Sequence, residues 1–461
     1  MRIINVVFIV TVCCFLLLGP TIAQETRTAT PEQRFFDWTE MKHAISVYAN
    51  RRSRLMRMLG EQGIDFFIAP SAHGKSHGTT FRQTDGFMYF TGLELPHSVL
   101  VLDVRSRTSL VYAPRRDVRF ESSSRRNDFP GRPLADDPEL VRRSGIGEIL
   151  PYESFENALS SWVSRDLTLS IDLGRSGPAS AIEKDFIMDW NPAMTLLDRI
   201  YNVYPEATVS NAFHSVARLR MVKQPVEIEI MRRVVSLTAE AIRHAAAFIM
   251  DGVDERSLEA ELEAVYKRGG AQRLSFSSIV KSGSNSLWPW RILAAHHDRR
   301  NRVMHDGDLV IFDVGTELDY YVSDVGRTFP VSGSFTKQQA EKLSMITAVS
   351  DAVIAAVRPG TTLPELLEVA IEAIPENERP YMQTGSFFGH HIGMSAGDPS
   401  LIDAPLEAGM VFTVEPWYYN HDDDISVFIE DVILVTEDGA DVLTSVLPRS
   451  PEDLAQLVGR R

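Results

Sequence analysis

The spacing of apolar positions changes repeatedly along the chain, and each spacing predicts an element. Val6 to Leu18 is one unbroken apolar run behind Arg2. Over 40–60, Ile45, Leu55, Met58 and Leu59 recur at roughly helical spacing among arginines, predicting an amphipathic helix that stops at Gly60. Short runs rich in Val, Leu, Ile and Phe then predict strands: DFFIAP (65–70), SVLVLDV (98–104), TSLVYAP (108–114) and the end of one at SIDLG (170–174). Helical patterns fall between them near 136–144 and 154–165. This alternation predicts an α/β domain over 40–205.

After Tyr204-Pro205 the pattern changes. A long amphipathic helix runs over 225–250 with Pro225 at its start, where helices tolerate proline. Further helices are predicted over 255–268, over 337–357 before Pro359-Gly360, and after Pro364. Two stretches read as hairpins. In LVIFDVGTELDYYVSDVGRTF (309–329) a tip at Leu318-Asp319 places Asp313 opposite Asp324 on one face, with β-carbons roughly 5 Å apart. In VFTVEPWYYNHDDDISVFIEDVI (411–433) a turn at Asp422-Asp423 places Glu415 opposite Glu430. The order helices, strand pair, helices, strand pair predicts an α+β domain over 206–455 with two similar halves, each contributing one carboxylate hairpin.

Two carboxylates facing each other repel unless one keeps its proton or a cation intervenes. Between the hairpins lies FFGHHIG, with His390 and His391 flanked by Gly389 and Gly393. Four carboxylates and an imidazole brought together would hold two hard-to-borderline divalent cations. Either hairpin alone reads as an ordinary surface hairpin; both together, each with apolar neighbours, favour a site.

Composition narrows the class. The net charge of −15 and a pI near 5.3 argue against nucleic-acid binding. The arginine clusters at 51–54, 125–126 and 299–302 carry no interleaved aromatic residues and read as solvated faces. Arg2, the apolar run and Thr21-Ile22-Ala23 read as a secretory signal peptide over 1–23, cut after Ala23 and followed by a polar leader over 24–39. The run is short for a retained anchor, and no other stretch is apolar enough to span a membrane. This predicts a secreted or periplasmic protein. Both cysteines, Cys13 and Cys14, lie in that segment, so the mature chain has no disulfide and no cysteine nucleophile. The chain has no zincin H-E-x-x-H, nucleophile elbow, P-loop or dinucleotide fingerprint.

These motifs in order (DVG, SDVGRTF, GHHIG, GMVFTVEPWYY and FIEDVILVTEDG) resemble the pita-bread metallopeptidases, which include methionine aminopeptidase, prolidase and aminopeptidase P. The stretch TTFRQTDGFMYFTGLELPHSVLVLDV (79–104) looks like the N-terminal domain of aminopeptidase P, which methionine aminopeptidases lack. The resemblance implies a pita-bread catalytic domain with two pseudo-symmetric halves. It implies that Asp313 binds one metal, that His390 and Glu415 bind the other, and that Asp324 and Glu430 bridge both. His390 is preferred to His391 because it opens the H-x-x-G pattern. The resemblance further implies hydroxide held between the ions, Glu415 as general base and proton shuttle, peptides with proline in second position as substrate, and a homodimer as one assembly the family forms. Mn²⁺ suits the donor set on hardness, with Zn²⁺, Co²⁺ and Fe²⁺ as alternatives.

Departures accompany the matches. The family's pocket histidines, seven residues after and four before the ligand histidine, correspond to Gly397 and Ser386. A family arginine two residues before the last glutamate corresponds to Phe428. A further catalytic histidine falls on His297 when counted back from NRVMHDGDLV, with His296 and Trp290 as alternates across an insertion. Trp288, Trp290, Trp417, Tyr418 and Tyr419 could wall an apolar pocket or be core. Arg327 could orient a site carboxylate or form a structural ion pair. Two other readings stay open: a pita-bread hydrolase acting on a non-peptide C–N or C–S bond, and a non-catalytic metal-binding pseudoenzyme.

Overall fold

The computed structural model describes residues 41–73, 81–115, 135, 138–175, 191–288, 301–382 and 389–459. The signal-peptide segment, the polar leader, Trp290, His296, His297 and Ser386 lie outside these.

The first domain is a six-stranded mixed sheet. Its strands are β1 (Phe66–Pro70), β2 (Val99–Asp103), β3 (Thr108–Ala113), β4 (Glu148–Pro151), β5 (Leu169–Ile171) and β6 (Val209–Asn211), in the order β4-β3-β2-β1-β5-β6. Antiparallel pairs at the centre give way to parallel ones outside, where helices make the crossovers. Alternate residues face opposite layers. Phe66, Ile68, Val99 and Val101 pack with Phe155, Leu159, Trp162, Leu197 and Ile200. Those five stand on the helices Ser154–Val163 and Pro192–Val203. Phe67, Leu100, Leu102 and Val111 face the other way and join a core continuous with the second domain. Helices Ile45–Glu61, Asp85–Thr91 and Phe213–Met221 lie in that interface layer. The sequence pattern leaves the helix Asp85–Thr91 and the three-residue strand β6 unassigned, both too short to show a period.

In the second domain, helices Pro225–Ala246, Glu255–Arg268, Lys337–Ala356 and Leu363–Ala373 surround short antiparallel sheets. Capping boxes open three of them, with side chains at Gln224, Thr336 and Thr362 taking up free N–H groups of the first turn. The strands are β7 (Arg273–Leu274), β8 (Ile279–Ser282), β9 (Leu309–Val314), β10 (Thr316–Leu318), β11 (Tyr321–Val322) and β12 (Val325–Pro330), then β13 (Val411–Val414), β14 (Trp417–Asn420), β15 (Ile425–Phe428), β16 (Asp431–Val435) and β17 (Ala440–Val442). Among the described residues no helix is long and apolar enough to cross a membrane.

The two hairpins differ in how their registers match expectation. In the first, Asp313 opposes Gly326, not Asp324. The tip is Asp319-Tyr320, both with positive φ (51° and 70°), as a tight two-residue turn requires. The tip lies one residue later than the sequence reading, so the ladder is displaced by two. A displacement of two keeps every side chain on its face, leaving Asp313 and Asp324 as diagonal neighbours. In the second hairpin Trp417 opposes Phe428 and Val414 opposes Asp431, so β13/β16 and β14/β15 share one register in which Glu415 stands opposite Glu430. The turn follows Asn420, whose side-chain oxygen accepts the N–H groups of Asp422 and Asp423. The ladder is interrupted at Pro416, which has no N–H to donate.

Candidate metal centre

Where that ladder opens, Glu430 turns to another partner. Its backbone pairs with Gly326, N–H to O at 3.0 Å one way and 3.3 Å the other. Gly326 also opposes Asp313 in the β9–β12 ladder. Asp313, Gly326 and Glu430 therefore form one row across three strands, and residues in register across a sheet share a face. The histidine segment lies along β13. His390 N–H bonds Thr413 Oγ1 (3.1 Å), Thr413 N–H bonds His390 O (2.9 Å), and His391 bridges Phe412.

Asp324, His390 and Glu430 each offer one ligand atom, and these atoms lie within 4.8 Å of one another. His390 Nε2 is 3.5 Å from Asp324 and 3.6 Å from Glu415. Its Nδ1 lies 3.3 Å from His391 O, a donor's position that leaves Nε2 to face the carboxylates. Asp313 is buried and feels the charges of Asp324 and Glu415.

The electrostatics are those of crowded anions. Burial, then the charges of Asp324 and Glu415, push Asp313 well above the carboxylate range. Burial, then Asp324, Glu415 and Asp313, do the same to Glu430. Burial lifts Glu415 to about 7, with Asp324 adding to it and His390 opposing. For His390 burial acts downward, but the hydrogen bond and charge of Asp324 and the charge of Glu415 outweigh it and raise it to about 9. Asp324 Oδ1 and both Glu430 carboxylate oxygens are buried with no hydrogen-bond partner among the described residues. Buried anionic oxygens without donors are costly unless a cation meets them. Oxygen ligands with one imidazole suit hard-to-borderline divalent ions, so the residues fit such a group.

Residues 229–437 match Metallopeptidase family M24, and residues 48–169 match the N-terminal domain of aminopeptidase P. An uncharacterized peptidase of Bacillus subtilis is 32% identical over 260 residues, covering 55% of this chain and 69% of that one. The chain belongs to metallopeptidase family M24. The Xaa-Pro aminopeptidase of Escherichia coli is 29% identical over 89% of this chain and 97% of its own. The solved aminopeptidase P of E. coli with the inhibitor Pro-Leu superposes with a TM-score of 0.71 at 26% identity, covering 90% of this chain and 98% of that one. This M24 protein is thus a pita-bread metallopeptidase that hydrolyses peptides, and its family implies divalent metals.

The neighbours of the carboxylate cluster decide the readings of Arg327, Trp288, Trp417, Tyr418 and Tyr419. Arg327 is fully buried and serves Asp431 (2.7 Å) rather than a cluster carboxylate, while its Nη1 holds the carbonyls of Gly326 and Glu430, each at 2.7 Å, and its Nε that of Pro448 at 2.9 Å. It therefore braces the row from behind. Trp417 and Tyr418 are core: Trp417 stacks on Phe428 (centroids 4.0 Å) and Tyr419 stacks on Trp417 (5.1 Å). Trp288 is 45% exposed and lies against His421. Gly326 and Thr413 carry no charge, and periodicity alone did not single them out. The signal for Gly326 is a glycine inside the strand Val325–Pro330, which marks a close approach.

Proposed function

We propose that this protein is an exported aminopeptidase with two divalent metals, removing the first residue of peptides whose second residue is proline. The observation that carries the reading is the convergence of Asp324, His390 and Glu430, with the Glu430 oxygens and Asp324 Oδ1 buried and without a hydrogen-bond partner among the described residues. Asp313 would hold one ion, His390 and Glu415 the other, and Asp324 and Glu430 both. Bound there, the ions supply a nucleophilic water at neutral pH and polarise the scissile carbonyl. Mn²⁺ is the metal proposed, from the oxygen-rich donor set.

The protein's own groups supply orientation and proton transfer. Glu415, held at about 7, is matched to taking a proton near neutral pH and giving it to the leaving imide nitrogen. His391 O holds the imidazole of His390, and Thr413 holds its backbone. His297 is proposed as a second catalytic group from the sequence. The proline preference follows from likeness to Xaa-Pro aminopeptidases. Export follows from the N-terminal pattern.

The test is hydrolysis of Xaa-Pro dipeptides, Xaa-Pro-Yaa tripeptides and matched Xaa-Ala peptides by the mature chain with Mn²⁺, Zn²⁺ or Co²⁺, with Asp324→Ala as control. Cleavage of the Xaa-Pro tripeptides, lost in the variant, supports the proposal. Two bound metals with no cleavage of any of these peptides would overturn it.

A further inference from the structure

The first domain reaches into the neighbourhood of the metal centre through an alternating chain of ion pairs. Arg273 pairs with Glu317, Glu317 Oε2 with Arg82 Nε at 2.7 Å, and Arg82 Nη1 with Asp85 Oδ1 at 2.8 Å. Asp85 Oδ2 then pairs with Arg220 Nη2 at 3.0 Å, and the same Nη2 with Asp398 Oδ1 at 2.5 Å. Lys223 lies 3.4 Å from the other oxygen of Asp398. Arg82 and Asp85 belong to the first domain, Arg220 to the interface helix Phe213–Met221 with Lys223 just after it, and Arg273, Glu317 and Asp398 to the second domain.

The ends of this chain matter. Glu317 stands on β10, in the excursion that joins Asp313 to Asp324. Asp398 stands in the loop that follows His390, where its N–H bonds His391 O (3.1 Å) and its Oδ1 accepts Met394 N–H (3.2 Å). Arg82 makes a second tie to that loop, Nη2 to Met394 O at 2.6 Å. One guanidinium thus grips two of the three segments that present the cluster, the β9–β12 hairpin and the His390 loop. The two segments also touch directly through Val322 N–H to Gly393 O at 2.9 Å. Charge-assisted bonds fix distance and direction, which apolar contact between domains does not. Glu317, Asp398 and Arg220 are buried, so water screens their bonds little.

We infer that Arg82 and Asp85 are positioning residues of the metal centre, through which the first domain sets the separation of Asp324 from His390. The inference rests on the metal-centre reading given above. Partners beyond the direct ligands hold ligand geometry, and their loss typically weakens metal binding about 10- to 100-fold.

The test is titration of Mn²⁺ into the chelator-stripped full chain by calorimetry, with thermal unfolding recorded in parallel. The variants are Arg82→Ala, Arg82→Lys, Asp85→Asn and Val101→Ala. Val101 is buried in the far-side core of the first domain and lies outside the ion-pair chain, so its variant reports plain destabilisation. Arg82→Ala and Asp85→Asn are expected to weaken Mn²⁺ binding at least about tenfold. Arg82→Lys keeps the charge but not the fork, and is expected to recover part of the loss. Val101→Ala is expected to lower Tm with unchanged affinity. Wild-type affinity in Asp85→Asn and Arg82→Ala, or an affinity loss in Val101→Ala of the same size, would overturn the inference. Absence of Mn²⁺ binding by the wild-type chain would instead remove the metal-centre reading and this inference with it. If Arg82→Ala does not fold, the near-isosteric Asp85→Asn decides.

Discussion

Gly326 is hydrogen-bonded to Glu430 on one side and opposes Asp313 on the other, so the residue between two acidic positions has no side chain. The space it leaves is taken by Phe428: a Cβ at 326 would lie 2.0 Å from Phe428 Cε1. That ring cannot swing away freely, because it is buried and stacked on Trp417.

Gly326→Ala is therefore expected to cost about 1–3 kcal/mol, the range for overpacking a filled core. Thermal unfolding of the chelated protein reads it. Gly326→Ala combined with Phe428→Leu should recover part of the loss. Equal Tm values for Gly326→Ala and wild type would show that the contact is not limiting.

Glu430→Gln keeps the shape of a buried carboxyl group but can no longer ionise. Without metal, the variant is expected to be more stable than wild type near neutral pH, since its folded state no longer has to take up the proton that burial and the charges of Asp324, Glu415 and Asp313 force onto Glu430. With Mn²⁺ added, the order should reverse and peptide hydrolysis should be lost. Paired melting curves with chelator and with Mn²⁺ check both halves.

The metal-free protein should lose stability as pH rises. Glu415, raised from 4.5 to about 7, contributes stability that is full below about 4.5 and gone above about 7. Asp313 and Glu430 are raised too, so they act in the same direction. His390, raised from 6.5 to about 9, contributes stability that is full below about 6.5 and lost through about 9. Divalent ions replace these protons, so metal binding should release protons at neutral pH and tighten as pH increases. The Tm gap between loaded and chelated protein should therefore widen from pH 5 to pH 8. Calorimetry in buffers of different ionisation enthalpy counts the protons released.

Gly397 stands where the resembling peptidases carry a pocket histidine. Among the described residues a Cβ there meets nothing within 4 Å, and its φ is not in the left-handed region. Gly397→His should therefore fold with an unchanged or slightly raised Tm, since the unfolded chain loses freedom. It is expected to raise kcat on Xaa-Pro tripeptides. A fall in kcat at unchanged Tm would show that the open space itself serves the substrate.

Short-range patterns carried much of this architecture. Alternation located both hairpins, and the acidic tip after Asn420 set the register that places Glu415 opposite Glu430. The first hairpin was legible only modulo two residues. Its side chains alternate identically in either register, and the choice fell to Asp319 and Tyr320 accepting positive φ. The helix caps at Thr336 and Thr362 were likewise local.

The sequence by itself determined the residue types of the centre, their order, and the faces on which the hairpins present them. These depend on periodicity and turn chemistry within about twenty residues. Only the tertiary structure decided that Glu430 would leave its own ladder for Gly326, that Arg327 would serve Asp431, and that Arg82 would join Glu317 to Met394. Each of these joins residues a hundred or more positions apart. Such contacts are fixed by which buried charges and open backbone groups the packed core leaves to satisfy one another, and no local pattern records that.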